Sequence, residues 1–279
     1  MAKWHPILKE PNVSITAGTA LSVTPIEEHG GILCKREDLF EVAGIRGGKV
    51  RACWVLAQGA KGLVTAGSRQ SPQVNIVAQI AKYMKIPCRI HTAKGELGEE
   101  VKEAVKTGAE LFQWNMGYSN VLACRAREDA KKMGWTEIPF GMESVVSIAC
   151  QRNQVVNIPS KVRRIVVCVG SGMCLSGVLH GMIDHGYESI PVLGVRVGGG
   201  TDKTKFSPVL ERRLDKFAPP NWREMVKFEH CGLDYHKFAP VTKLGDLELD
   251  PIYEAKCIPF LKKSDLFWVI GIRQTAVNE

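Results

Sequence analysis

The chain has 279 residues, 45% of them hydrophobic and 24% charged, which is ample for a large buried core and excludes extensive disorder. No apolar run approaches the roughly 18 residues that span a bilayer, and Met1-Ala2-Lys3-Trp4-His5-Pro6 lacks the apolar stretch of a secretory signal. A net charge of +8 favours anionic partners, whether a phosphorylated cofactor, a carboxylate substrate or nucleic acid, but selects none of them.

Short β-branched runs alternate with amphipathic ones along the chain, the pattern of an α/β protein with mostly parallel strands. Lys49 stands at the start of a predicted helix. Gly62-Leu63-Val64-Thr65-Ala66-Gly67 reads as a strand ending in a glycine turn. Val74, Val77, Ala78, Ala81 and Met84 then repeat at helical spacing, and Cys88-Arg89-Ile90-His91 forms the next strand. A helix over 99–107, a strand over 110–113 and a helix over 119–133 ended by Gly134 complete a βαβ block. A second block opens near residue 140 with a helix over 144–155, interrupted by Pro159. A strand over 163–169 leads through a glycine turn into a helix from about Val178, and 190–197 is again a strand. Residues 198–240, with Gly198-Gly199-Gly200 and Pro219-Pro220, read as loops around one short helix. A helix begins near Asp250 and a strand over 267–272 closes the chain. The predicted architecture is two α/β lobes, each a mostly parallel sheet flanked by helices. A large domain takes residues 1–51 and 143–279, and a small one takes 52–142.

Several loops carry candidate chemistry. In Arg46-Gly47-Gly48-Lys49-Val50-Arg51, two glycines let the backbone pass close to a bound group ahead of the lysine. Arg46 and Arg51, if close in space, would disfavour the ammonium and free the amine for a Schiff base. A surface lysine at a helix start is the plainer reading of that segment alone. Gly170-Ser171-Gly172-Met173-Cys174-Leu175-Ser176-Gly177 links a strand to a helix, so its backbone N–H groups and the helix dipole can hold a phosphate dianion. It matches neither GxGxxG nor GxxxxGK[ST], and no lysine follows to reach a further phosphate. A single phosphate group suits it better than a nucleoside triphosphate.

Gly67-Ser68-Arg69-Gln70-Ser71-Pro72-Gln73 can present hydroxyls and N–H groups to a substrate carboxylate. Ser71 as an N-cap with Pro72 at the first helical position is the simpler account of the same residues. Tyr253 and Glu254, in Asp250-Pro251-Ile252-Tyr253-Glu254-Ala255-Lys256, read as a core tyrosine and a first-turn carboxylate. The seven histidines form no HExxH and the nine cysteines no CxxC, so no metal site is expected. Nine scattered cysteines, an odd number, argue against a complete disulfide framework and point to a reducing cytoplasm.

Taken in order, Cys34-Lys35-Arg36-Glu37-Asp38-Leu39, Gly47-Gly48-Lys49-Val50-Arg51, Gln70-Ser71, the loop 170–177 and Asp250 to Lys256 resemble pyridoxal-phosphate (PLP) enzymes of fold type II. This is the tryptophan-synthase-β-like family, and the resemblance is nearest to its aminocyclopropane-carboxylate deaminase and D-cysteine desulfhydrase branch. Thr24-Pro25 and Pro139-Phe140-Gly141 match in place as well, so the resemblance runs over residues 18–273.

The resemblance implies pyridoxal 5'-phosphate as cofactor and a homodimer as the assembly. Lys49 would carry the cofactor as an aldimine and shuttle the substrate proton. Gly170, Ser171, Gly172, Met173 and Cys174 would hold its phosphate, and Glu254 would face its pyridine nitrogen. Tyr253 would act as acid, base or nucleophile. Ser71, with Gln70 and Gln73, would bind the substrate carboxylate. The chain departs from the family at Pro72, where Gln-Ser-Asn is usual; proline removes one backbone donor, and the lost side-chain amide removes one cofactor contact.

The expected function is a PLP-dependent lyase or isomerase acting at Cα of an amino-acid substrate through a quinonoid intermediate. Deamination, decarboxylation, elimination and isomerisation all fit. One alternative places the amino-acid group on a base in nucleic acid (DNA hypermodification), motivated by the altered carboxylate loop and the positive charge. Another is a catalytically silent binding protein of the same fold. A nucleic-acid binder without cofactor would need cations interleaved with aromatics, whereas aromatics are only 7% and the cations are dispersed.

Overall fold

Among the described residues a tight hairpin comes first: β1 (Ile26–His29) and β2 (Ile32–Arg36) are joined by Gly30 and Gly31 at φ 57° and 78°. Two successive left-handed residues make the two-residue turn that matches the twist of paired strands, and glycine takes both positions at no steric cost. The chain continues through β3 (Glu41–Val42), β4 (Ile45–Arg46), α1 (Gly48–Leu56), β5 (Leu63–Ala66), α2 (Pro72–Met84), β6 (Cys88–Ala93), α3 (Glu99–Lys106), β7 (Glu110–Trp114), α4 (Ser119–Met133) and β8 (Thr136–Ile138). It then forms α5 (Val145–Arg152), β9 (Arg164–Val169), α6 (Met173–Asp184), β10 (Val192–Arg196), α7 (Pro208–Phe217), α8 (Trp222–Met225), β11 (Val226–His230), β12 (Lys243–Leu244), β13 (Leu247–Glu248) and β14 (Asp265–Val269). This computed structural model describes residues 20–115, 118–197 and 206–271.

The chain divides into two units. One comprises the residues up to Phe40 together with Ser144–Gly271, the other Glu41–Glu143. Residues 41–51, which the sequence places with the larger domain, pack in the second unit. The β3–β4 hairpin, closed by Arg46 Nε and Glu41 Oε2 at 2.7 Å, runs straight into α1, and α1 packs on α2.

In the first unit six strands lie in the order β1-β2-β14-β9-β10-β11, all parallel except β1. The central strand β14 is covered on both faces, which explains the unbroken apolar run Leu266-Phe267-Trp268-Val269. Leu266 and Trp268 pack with Val167, Leu175 and Leu214 on one face. Phe267 and Val269 pack with Cys168, Ala255 and Cys257 on the other. The second unit has four parallel strands in the order β7-β6-β5-β8.

The charged segment after Cys34 is a buried structural network. Lys35 Nζ donates to the Thr24 carbonyl at 2.8 Å and to Asn157 Oδ1 at 2.9 Å. Glu37 accepts from the Thr24 hydroxyl and, at 3.1 Å, from Gln151 Nε2, while Arg36 pairs with Asp38 at 2.8 Å. Each buried charge therefore has a hydrogen-bonded partner, and the opening hairpin is tied to α5.

Three sequence expectations are corrected here. Helix α6 begins at Met173 rather than near Val178, because Gly172 alone caps it and the glycine turn is short. The stretch 206–240 holds two helices and the edge strand β11, whereas Gly198-Gly199-Gly200 lies outside the described residues. The run after Asp250 is a 3-10 helix, Glu254–Phe260, which contains Pro259.

Two buried imidazoles make stability sensitive to pH. Burial pushes His91 and His180 below the ordinary 6.5, partly opposed by the Asp129 carboxylate and the Phe217 carbonyl respectively. The unfolded chain then binds protons that the folded chain resists. Their stabilisation is complete above about pH 6.5 and is lost as pH falls through the lowered folded values. Urea unfolding should show a falling free energy between about pH 7 and 5.5 that the double replacement His91→Gln, His180→Gln flattens. Equal slopes in the two proteins would contradict this account.

Candidate active site

Strand β9 ends at Val169, and Gly170-Ser171-Gly172 turns the chain into α6. Gly172 caps the helix at φ 87°, ψ −9°. A Cβ there would lie 2.8 Å from Leu210 Cδ1 and 3.3 Å from Leu214 Cδ2, so both backbone conformation and the α7 packing require glycine. The first helical bond runs from the Ser176 N–H to the Gly172 carbonyl at 2.9 Å. The amides of Met173, Cys174 and Leu175 precede that bond at the positive end of the helix. Met173 packs its side chain against Ile148 and Phe217, and Cys174 Sγ lies 3.4 Å from Gln151 Oε1. Both residues would serve an anion through their backbone.

Tyr253 and Glu254 sit beside this loop in the same unit. Asp250 Oδ1 accepts from the amides of Ile252 at 2.7 Å and Tyr253 at 3.1 Å, a turn that sets the path into the 3-10 helix. Tyr253 Cε1 lies 3.5 Å from where a Cβ of Gly170 would stand, so the ring faces the glycine loop. Its hydroxyl is hydrogen-bonded to that of Tyr235, with the ring centroids 5.8 Å apart. Glu254 is buried. Burial raises the Cys168 thiol well above its ordinary value, with Cys257, Glu254 and Asp250 adding to that, and Cys168 of β9 packs in one cluster with Ala255 and Cys257 of the 3-10 helix that Glu254 begins.

The second unit carries Lys49 and Ser71. Gly47 caps α1 at φ 114°, ψ 156°, a conformation that demands glycine, and Lys49 follows half-buried in the first turn. Arg46, one of the two cations expected near the amine, is paired with Glu41, while Arg51 is buried.

Ser71 is the N-cap of α2, its Oγ accepting from the Gln73 N–H at 3.3 Å, with Pro72 at the first helical position. The Ser71 N–H donates to the Ser68 carbonyl at 3.0 Å. Capping uses a lone pair of the hydroxyl and leaves its hydrogen for a further acceptor, so the cap and a carboxylate contact are compatible. Gln73, expected from the sequence at the substrate, instead spends its side-chain donors on Thr65 Oγ1 at 3.1 Å and the Pro139 carbonyl at 2.8 Å. The Gln70 carboxamide lies against Gly98.

Tyr235 is the residue sequence reasoning misses. It falls in a stretch without periodicity, and no local pattern marks its ring as a partner for Tyr253. Among the described residues no group of three or more His, Cys, Asp or Glu side chains could hold a metal ion, and no helix is long and apolar enough to cross a membrane.

No protein-family model and no curated protein matches the chain. Solved structures do. A crystal structure of an ACC deaminase homologue superimposes with a TM-score of 0.75 at 22% identity, covering 98% of this chain and 97% of that one. The fold is that of the fold-type II PLP enzymes. The processed form of threonine deaminase isoform 2 from Solanum lycopersicum shares this fold-type II architecture, with a TM-score of 0.62, 15% identity and coverage of 89% and 83%. So does maize serine racemase, at a TM-score of 0.60, 14% identity and coverage of 90% and 94%.

Proposed function

We propose that the chain is a PLP-dependent lyase or isomerase acting at Cα of an amino-acid substrate. One observation carries the reading: the glycine loop at the end of β9, the Tyr253 ring against Gly170 and the buried Glu254 are gathered in one unit. The similar structures are named for deamination and racemisation of amino acids, which supports the substrate class.

The residues fit the cofactor. Gly170 is exposed, Gly172 is left-handed and the first-turn amides of α6 precede its first hydrogen bond, a cradle for one phosphate. No lysine stands in that first turn to hold a second phosphate. The buried Glu254 carboxylate favours a cation beside it and would hold the proton on the pyridine nitrogen. When bound, PLP supplies an electron sink for the charge left at Cα.

The chain's own groups divide the remaining work. Lys49 Nζ would hold the cofactor and move the proton at substrate Cα. The Ser71 hydroxyl would donate to the substrate carboxylate, at a helix start where Pro72 offers no N–H and the Gln73 N–H already has an acceptor. Tyr253 Oη, hydrogen-bonded to Tyr235, can hold or relay a proton.

Titration with PLP tests the reading. The protein should acquire a visible absorption band and gain resistance to urea, by about 2.7 kcal/mol at a hundredfold excess over Kd. Amino-acid substrates should then shift the band. A protein that stays colourless and gains no stability would defeat the proposal.

A further inference from the structure

The 3-10 helix that carries Glu254 also carries Lys256, which has no part in the reading above. Lys256 is only 2% exposed. Its Nζ donates to two consecutive backbone carbonyls, Asp234 at 3.0 Å and Tyr235 at 2.9 Å, and stands 5.9 Å from the centroid of the Tyr235 ring. Its own amide donates to the Tyr253 carbonyl at 3.1 Å. Burial lowers its basicity, opposed in turn by Cys231, Cys168, Asp250 and Asp234. Burying an ammonium is costly, and an apolar side chain of the same length would fill the space more cheaply. The bonds it makes therefore identify its role. They hold a segment, residues 231–237, that belongs to no helix and, apart from Cys231 bonding back to Arg196, to no strand.

We infer that Lys256 is a positioning residue: by clamping the carbonyls of Asp234 and Tyr235 it sets the Tyr235 hydroxyl against Tyr253 and fixes the phenol that faces the glycine loop. The inference rests on reading Tyr253 as a site residue. Without the clamp, Tyr235 is carried by an irregular loop with few other backbone bonds, and the phenol pair loses its fixed geometry.

A double-mutant cycle tests it, with Tyr235→Phe and Tyr253→Phe compared by urea unfolding in the wild-type and Lys256→Met backgrounds. The two substitutions should be non-additive in the wild-type background and additive in Lys256→Met, while Lys256→Arg restores the coupling. A lysine that merely stabilises the fold would leave the coupling intact, and coupling that survives in Lys256→Met overturns the inference. Amide exchange over 233–237 should also quicken roughly 10-fold or more in Lys256→Met, the loss expected for bonds from a charged donor. Should Lys256→Met fail to fold, exchange in Tyr235→Phe decides. The clamp predicts protection as in wild type there, and lost protection would show that the phenol pair holds the segment instead. PLP uptake by the wild-type protein separates the two claims, since a colourless protein removes the site reading while the cycle still reports on Lys256.

Discussion

Replacing Lys49 by alanine is expected to lower turnover of any amino-acid substrate by on the order of 10³-fold or more, with the fold intact. The amine has two tasks in the proposed site, holding the cofactor and moving the proton at Cα, and alanine performs neither. Helix α1 should survive, because its start is set by Gly47 and alanine is the strongest helix former. Lys49→Arg should fail almost as badly, since a guanidinium stays protonated and cannot act as a nucleophile. Steady-state kinetics beside a urea midpoint check both halves. Near-normal turnover in either variant would remove Lys49 from the chemistry.

Gly172→Val is expected to cost about 2–5 kcal/mol of stability, combining backbone strain with overpacking. The position is left-handed at φ 87°, which a β-branched residue resists, and its Cβ would press on Leu210 and Leu214. Relief requires either α7 to shift or the start of α6 to rotate, and the second would turn the first-turn amides away from a bound phosphate. The variant should therefore lose affinity for PLP as well as urea resistance. Gly170→Ala is the control, because its methyl would meet only the Tyr253 ring, at the ordinary contact distance of 3.5 Å. Its stability should stay within about 0.5 kcal/mol of wild type. Equal stability losses at the two positions would show that the loop conformation is not what Gly172 protects.

Much of this fold is legible in the sequence because local signals agree with tertiary structure. Alternation and helical spacing locate β5, α2, β6, α3, β7 and α4 to within a few residues. The cap residues Ser71 and Ser144 mark the starts of α2 and α5, and Gly134 takes the left-handed position that ends α4. Edge strands are harder. In β11, Lys227 is exposed and the strand pairs on one side alone, so its apolar content is too low to stand out. The hairpin Gly30-Gly31 carries a turn signal that short flanking strands obscure.

The site is legible to a different depth. Gly170, Gly172, Tyr253 and Glu254 stand in short motifs whose order along the chain carries the resemblance; all four lie in the first unit, where the Tyr253 ring faces Gly170. Gln73 shows the limit of reading by adjacency. It neighbours Ser71 in sequence, yet the turn of α2 directs its carboxamide to Thr65 and Pro139. Tyr235 and Lys256 are selected by long-range hydrogen bonds, 18 and 21–22 residues away in sequence, which leave no local trace.

Mapping the attachment point of the cofactor tests the central claim most directly. The wild-type protein is loaded with PLP, reduced with borohydride, digested and analysed by mass spectrometry. The account predicts a single reduced adduct on the peptide that contains Lys49, absent from Lys49→Ala. No adduct, or an adduct on another lysine such as Lys256, would contradict it.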